Sequence, residues 1–437
     1  MINSLELSEG WKIVKLEEIT VMIDHGKTPR SYQYSDNGCY KIIKVRDLTE
    51  NGYIRWDINE KGFVKESYVK EFLKYKVDEN DILIVGSAHS KEHIGKKIAM
   101  VRDIPKEFKA IFFVGELIRV KINQSKADPY YVFQVLRLEP IRRSIQEKVK
   151  GSHIYVKDIK SIVIPIPPLD EQRRIASILF TVDETIAKTD AIIYRVEELR
   201  RALLDYLMTH GIRHEEYKKT EIGKIPKEWS ILNLGSVCKF KRGVSYRRSD
   251  ITNSRGNIRF ITIKDLEKEG GWKRKYTTVV YLKNSVKVPS EAILQNGNIL
   301  IAITDMSKGF IIGAPLLIKN LNEKATYSMD LVKLIFDKSK ILPEYLFYYL
   351  LWRPIRRKMK SIARGTNVLH LDMKLVKKIP VVLPPISEQH EFVRILSTVD
   401  QLLTYELGYM EKLIKLKIQL TNLLLTGKVR VKDLPID

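Results

Sequence analysis

The sequence predicts a mixed α/β protein: two globular blocks, each continued by a long helix, with the two helices paired as an antiparallel coiled coil about a pseudo-twofold axis. Three observations carry this reading. The stretch from Leu169 to Met208 is amphipathic and contains neither Gly nor Pro. It returns as Ile386 to Leu425. The segments ahead of the two copies also repeat one another in the same order.

The helices come first because the rest hangs from them. Written in sevens, the first copy puts Ile175, Val182, Thr189, Val196 and Leu203 on one seam position, and Leu179, Ile186, Ile193, Arg200 and Leu207 on the other. The second copy, 217 residues on (392−175), gives Phe392, Val399, Glu406, Leu413 and Leu420, then Leu396, Leu403, Met410, Lys417 and Leu424. A sustained apolar seam with charged flanks reads as a coiled coil. Even the polar interruptions coincide, Thr189 with Glu406 and Arg200 with Lys417. Each helix would be about 60 Å long at 1.5 Å per residue, too long for one small domain to cover and matched to a partner of equal length. Antiparallel pairing would make the pair a rod that spaces the blocks. Thr189 and Glu406, near the midpoints, would form either a polar layer that fixes register or a solvated edge.

The blocks follow in order. Trp11 opens WKIVKLEEI and Trp229 opens WSILNLGSV; IIKVRDL at Ile42 to Leu48 returns as FITIKDL at Phe260 to Leu266; NDILIVGSA returns as GNILIAITD. Short β-rich runs bounded by Gly, Asn and Asp, such as Lys41 to Val45 and Asp81 to Val85, read as strands. Tyr130 to Val149 and Glu344 to Lys360 have helical periodicity and carry the matching pairs Arg142-Arg143 and Arg356-Arg357, which either face phosphate or decorate helices. Pro167-Pro168 and Pro384-Pro385 stop the preceding strand, and Asp170 or Ser387 is placed to cap the helix that follows. The spans are 1–168 for the first block, 169–210 for its helix, 211–228 for a polar, exposed connector, 229–385 for the second block, 386–426 for its helix and 427–437 for a tail.

Composition narrows the function. Lys and Arg number 76 against 53 Asp and Glu, a formal net charge of +23. Such an excess suits a polyanionic partner, because the field steers phosphate and counterion release rewards contact, although a basic surface also serves solubility. Cys39 and Cys238 form neither a CxxC nor a metal cluster, which points to a reducing cytosol and a cytoplasmic protein. No basic stretch followed by an apolar core opens the chain, and no apolar run reaches the length of a membrane span.

By this point the residues resemble the specificity subunit of type I restriction-modification systems. The resemblance covers almost the whole chain: the Trp near the start of each block, the PPLDEQ and PPISEQ helix starts, the GSH and GTN loops, the TVD in each helix and the KKTEIGKIPKEW connector. It implies two target recognition domains, each reading one half of a split, asymmetric site in double-stranded DNA, held apart by the coiled coil. It further implies two modification (methyltransferase) subunits docked on that core, with restriction (translocase-nuclease) subunits joining them. The chain itself would bind no cofactor; S-adenosylmethionine, ATP and magnesium would belong to the partner subunits. A scaffold that binds nucleic acid without sequence choice is the alternative.

Motifs for chemistry are missing. Gly26-Lys27-Thr28 lacks the Gly that a phosphate loop needs five residues earlier, where Val21 stands. Asp128-Pro129-Tyr130-Tyr131 lacks the second Pro of an adenine methyltransferase segment and reads as a helix start. No metal-ligand spacing or nucleophile-base arrangement appears, so the chain is expected to be non-catalytic.

Candidate DNA contacts lie in loops that match in position but differ in side chain, as two readers of different half-sites require. In the first block these are Lys27, Arg30, Arg46, Ser90, Lys91, His93, Ser152 and His153. In the second they are Arg242, Tyr246, Arg247, Arg248, Lys264, Thr304, Lys308, Thr366 and Asn367. Arg can grip guanine O6 and N7, whereas Lys more often holds phosphate. Tyr32 and Tyr246 are set against the ordinary default that loop aromatics pack, and His153 and His370 against the default of ordinary hydrogen-bonded histidines.

Overall fold

The computed structural model describes residues 9–56, 62–273, 279–306 and 309–431. The chain folds as two compact units. One runs from the start of the chain to Asp190 and takes in Gly408 onward; the other is Ala191–Leu407. Each unit therefore holds one globular block, half of its own long helix and half of the other.

In the first unit, strand Ile82–Val85 is ILIV, buried along its whole length. Side chains of a strand alternate faces, so Ile82 and Ile84 join one apolar cluster while Leu83 and Val85 join another. It lies inside an antiparallel sheet ordered Thr20–His25, Leu117–Ile122, Ile82–Val85, Ile98–Met100. A second sheet orders Tyr34–Ser35, Phe63–Val64, Tyr40–Ile43, Ala110–Phe113, the last two parallel. Lys12–Lys15 pairs with Val163–Ile166. The second unit repeats this strand for strand: Cys238–Arg242, Leu331–Phe336, Ile299–Ala302, Pro315–Leu317 in one sheet, and Ile251–Thr252, Tyr281–Leu282, Ile258–Ile261, Ala325–Tyr327 in the other. Ile299 and Ile301 face one cluster and Leu300 and Ala302 the other.

The predicted helical stretch at Tyr130–Val149 is two helices, Pro129–Leu136 and Glu139–Gln146. Its counterpart is Pro343–Leu351 and Arg353–Ser361. Pro140 and Pro354 explain the break: each lacks the N–H an interior position needs and sits instead in a first turn, where none is used. The long helices are Leu169–His210 and Ile386–Leu424. Asp170 and Ser387 thus lie inside the first turn rather than at the cap. The connector is no bare linker but a hairpin, Tyr217–Thr220 against Gly223–Pro226, with Ile225 buried. Among the described residues no helix is long and apolar enough to cross a membrane.

One buried acid makes the first unit pH-sensitive. Asp81 accepts from the Asp78 N–H at 3.0 Å and lies 3.8 Å from Arg119. Burial pushes its carboxyl up to about 6. The folded unit thus holds this proton more tightly than the unfolded chain, so the stability it supplies is full below the ordinary carboxylate value and lost as pH rises through 6. At 1.36 kcal/mol per pKa unit this amounts to about 2–3 kcal/mol. Urea titrations across pH 4–6 should show that Asp81→Asn flattens this dependence; an unchanged slope would assign it elsewhere.

Candidate nucleic-acid interface

In the first unit the candidate loops converge on the turn between Ala110–Phe113 and Leu117–Ile122. Lys27 N–H donates to Phe113 O at 3.0 Å, Thr28 Oγ1 donates to Glu116 Oε2 at 2.7 Å, and Ser87 N–H donates to Glu116 O at 3.1 Å. Ile154 N–H donates to Gly86 O at 2.8 Å, and single β-bridges join His153 to Ser87 and to Lys150. The loops at Gly26–Ser31, Ser87–His93 and Gly151–His153 are thereby one surface.

The second unit builds the same surface around Ser328–Asp330. Val244 N–H donates to Tyr327 O at 2.8 Å, and Ile303 N–H donates to Asp330 O at 2.9 Å. Here the bridges have grown into a small sheet: Thr304–Asp305 pairs with Leu369–Leu371, which pairs with Ala363–Arg364. Thr304 faces His370 as Ser87 faces His153. The histidines left without named partners by sequence are thus register-equivalent, with ordinary hydrogen bonds: His153 Nδ1 lies 3.0 Å from Ser152 Oγ and His370 Nδ1 lies 3.4 Å from Thr304 Oγ1.

The individual side chains differ in availability. Arg30, Arg46, Ser90, His153, Arg242, Arg247, Arg248, Lys264, Thr366 and Asn367 are exposed; Ser152 is half-buried. Lys27 is half-buried, 2.9 Å from Glu71 and stacked over Phe72. Ser90 donates to Glu92 at 3.0 Å, and His93 lies 3.9 Å from the same carboxylate. Thr304 is buried. Arg242 Nε donates to Met329 O at 2.8 Å. Tyr246 is half-buried edge-on to Phe260 at 4.7 Å, and burial raises its hydroxyl pKa; Tyr32 sits edge-on to Tyr68 at 5.5 Å. Lys308 and the Lys91 side chain lie outside the described residues. Arg356 does neither of the things its sequence position suggested. It is buried and donates to Ile312 O at 2.9 Å and Lys268 O at 3.2 Å, and burial lowers its guanidinium to about 10.

Comparison with known proteins shows which family the chain belongs to. The profile of the type I restriction modification DNA specificity domain matches twice, over residues 8–198 and 226–414. The chain belongs to the type I restriction-modification DNA specificity family. A putative type I restriction enzyme MjaX specificity subunit from Methanocaldococcus jannaschii is 29% identical, covering 98% of this chain and 95% of that one. The EcoKI specificity subunit of Escherichia coli K12 is 26% identical, covering 92% and 83%. The crystal structure of the S subunit from M. genitalium shares the fold with a TM-score of 0.60 at 15% identity, covering 96% and 98%. This is a non-catalytic DNA-specificity subunit with a repeated domain organisation.

How the specificity subunit holds its recognition blocks is visible in residues that carry no motif of their own. In the first unit Asp183, 3% exposed, pairs with Lys417, accepts from Gln134 Nε2 at 3.0 Å and from the Tyr130 hydroxyl at 2.5 Å. In the second, Asp400 pairs with Arg200 and accepts from the Tyr348 hydroxyl at 2.7 Å. The polar interruptions of the heptads, Lys417 and Arg200, are therefore the ion-pair partners of the TVD aspartates. Burial lowers the Lys417 ammonium pKa, opposed by Asp183, and raises both tyrosines. Direction is fixed within each unit by a second contact: Glu171 meets Arg430 where Asp183 meets Lys417 in the first, and Glu388 meets Ile212 and His214 where Asp400 meets Arg200 in the second, so the two half-helices of each unit run antiparallel.

Around them the seam is apolar. Ile175, Leu179 and Leu413 are buried in the first unit, with Val182, Ile186, Met410 and Leu420 half-buried; Ile193, Val196, Phe392, Leu396, Val399 and Leu403 are buried in the second, with Leu203 half-buried. Thr189 is buried and its hydroxyl donates to Thr185 O at 2.8 Å.

The EQ of each helix start is a second lock. Gln172 Nε2 donates to Pro167 O at 2.9 Å while its Oε1 accepts from Asp128 N–H at 2.9 Å; Gln389 does the same with Pro384 O at 3.0 Å and Leu342 N–H at 2.9 Å. The neighbouring glutamates differ. Glu171 takes both ends of the Arg430 fork at 2.7 Å, whereas Glu388 accepts from Trp229 Nε1 and Ile212 N–H, with His214 at 2.9 Å. The signal was present in sequence, since TVD and EQ occur in both copies, but their partners lie in distant segments.

Proposed function

We propose that this chain reads a split, asymmetric DNA site, one half with each block, and docks two modification subunits and the restriction subunits that act there. The observation that carries the reading is the double family match combined with two equivalent loop surfaces whose side chains differ, Lys27 against Val244 and Ser31 against Arg248. Different side chains on one backbone frame are what two different half-sites require, because phosphate contacts position and base contacts specify. Methyl transfer with S-adenosylmethionine and ATP- and magnesium-dependent cleavage fall to the partner subunits, in the cytoplasm where the DNA is. The test is a genome-wide map of N6-methyladenine in cells with the chain intact and deleted. Loss of methylation at one bipartite motif is the expected result. If the partners are active and the methylation pattern stays unchanged, the reading fails.

A further inference from the structure

The chain is its own comparison, because it builds the same loop surface twice and keeps some exposed residues in both. Arg30 and Arg247 are one such pair. Each precedes a short turn, and each has its backbone N–H held by the side chain three residues on, Arg30 by Gln33 at 2.9 Å and Arg247 by Asp250 at 2.7 Å. Both are exposed. Lys150 and Arg364 are a second pair. Lys150 bridges to His153, and Arg364 pairs with His370, the equivalent histidine. Both are exposed, and Arg364 lies 3.4 Å from Asp372.

Residues kept in both units for the fold can be recognised and set aside. Asp47 and Asp265 are buried and accept from Lys44 and Thr262 N–H, each at 2.8 Å. The basic pairs are exposed and hold no core together. What the two surfaces share in chemistry must address what the two half-sites share, and that is the backbone: phosphates recur at the same spacing whatever the bases. The shared acid at the centre of each surface, Glu116 and Asp330, argues for a path along the rims, since a phosphate over the central turn would be repelled.

Resting on the DNA-reading function above, we propose that Arg30 and Lys150 in one unit, and Arg247 and Arg364 in the other, hold phosphate and carry no sequence preference. Positions that differ, such as Arg248 against Ser31, then read bases. Lys150 and Arg364 are absent from the sequence-derived candidates because they lie just before the GSH and GTN loops.

The test uses the full chain and a pool of 40-base-pair duplexes with randomised sequence, read by binding against NaCl and by sequencing of the bound fraction. Removing one phosphate-binding cation lowers the slope of log affinity against log salt by about 0.9 on duplex DNA, so Arg247→Ala/Arg364→Ala should lower it by about 1.8. The selected motif should stay the same, and lysine at both positions should restore most of the slope. Arg248→Ala should change the slope by no more than about 0.9 and relax one half-site. An unchanged slope in the double variant, or a motif relaxed by it, overturns the assignment. If the wild-type chain selects no motif yet the slope still falls, the phosphate assignment stands and the sequence-reading function fails instead.

Discussion

Asp183→Leu should lower the stability of the first unit by about 3–5 kcal/mol, the range for removing one partner of a buried ion pair. The substitution leaves the Lys417 ammonium, the Tyr130 hydroxyl and the Gln134 amide without their shared acceptor. All three are largely shielded from water: the Lys417 side chain is 21% exposed, and Tyr130 and Gln134 are buried. A urea midpoint measured by a probe in that unit reads the loss. Asp183→Leu/Lys417→Met should recover most of it, because an apolar pair of similar volume removes the charge as well as its partner. Equal losses from the single and the double variant would show that packing, not the orphaned charge, sets the penalty. Asp400→Leu should be milder, about 1–2 kcal/mol, since Asp400 is 34% exposed and Arg200 24%, and water screens what remains.

The same cluster shows where sequence reasoning stops. The heptads of both helices were legible because burial writes a period into the chain, and a strand such as Ile82–Val85 was legible because burial on both faces gives an unbroken apolar run. Lys417 and Arg200 were visible only as interruptions. Their partners lie about two hundred residues away or more, on the other long helix, and no local pattern names a residue across that gap. Pro140 and Pro354 were readable as helix breakers, yet periodicity on either side concealed them. Arg356 misled for a related reason: a charged residue in a helix is ordinarily solvated, and only the tertiary fold supplies the carbonyls of Ile312 and Lys268 that bury it.

At the candidate interface the division is similar. Matching the two halves picked out corresponding loops but not which of them meet within a block; the fold brings Ser87 to His153 and Thr304 to His370, whereas sequence position set Gly151–His153 against Gly365–Asn367. Which side chains within those loops are available could not be read, because it depends on neighbours such as Glu71 beneath Lys27 and Glu92 beside Ser90. The rims carrying Lys150 and Arg364 were missed because they stand outside the glycine-marked loops that drew attention.

Gly243→Ala should disable the second recognition surface more thoroughly than removal of any single basic side chain. A Cβ at this position would stand 2.2 Å from Ser328 O and 2.4 Å from Tyr327 O, and at Gly26 it would stand 2.2 Å from Phe113 O and 2.4 Å from Val114 O. Real Cβ atoms do not approach so closely, and both obstacles are backbone rather than flexible side chain. The turn cannot retreat without breaking Gly243 N–H to Leu331 O at 3.1 Å and Val244 N–H to Tyr327 O at 2.8 Å, the bonds that seat the loop bearing Arg247 and Arg248. Overpacking of this kind costs about 1–3 kcal/mol and more where the surroundings are rigid. The loop should therefore shift as a body, displacing together the side chains proposed to hold phosphate and to read bases. With the randomised duplex pool, Gly243→Ala should remove the second unit's half-site from the selected motif and lower the salt slope, while the first unit's half-site survives; Gly26→Ala should do the converse. Disappearance of both half-sites on either single substitution would mean that the two surfaces do not read DNA independently.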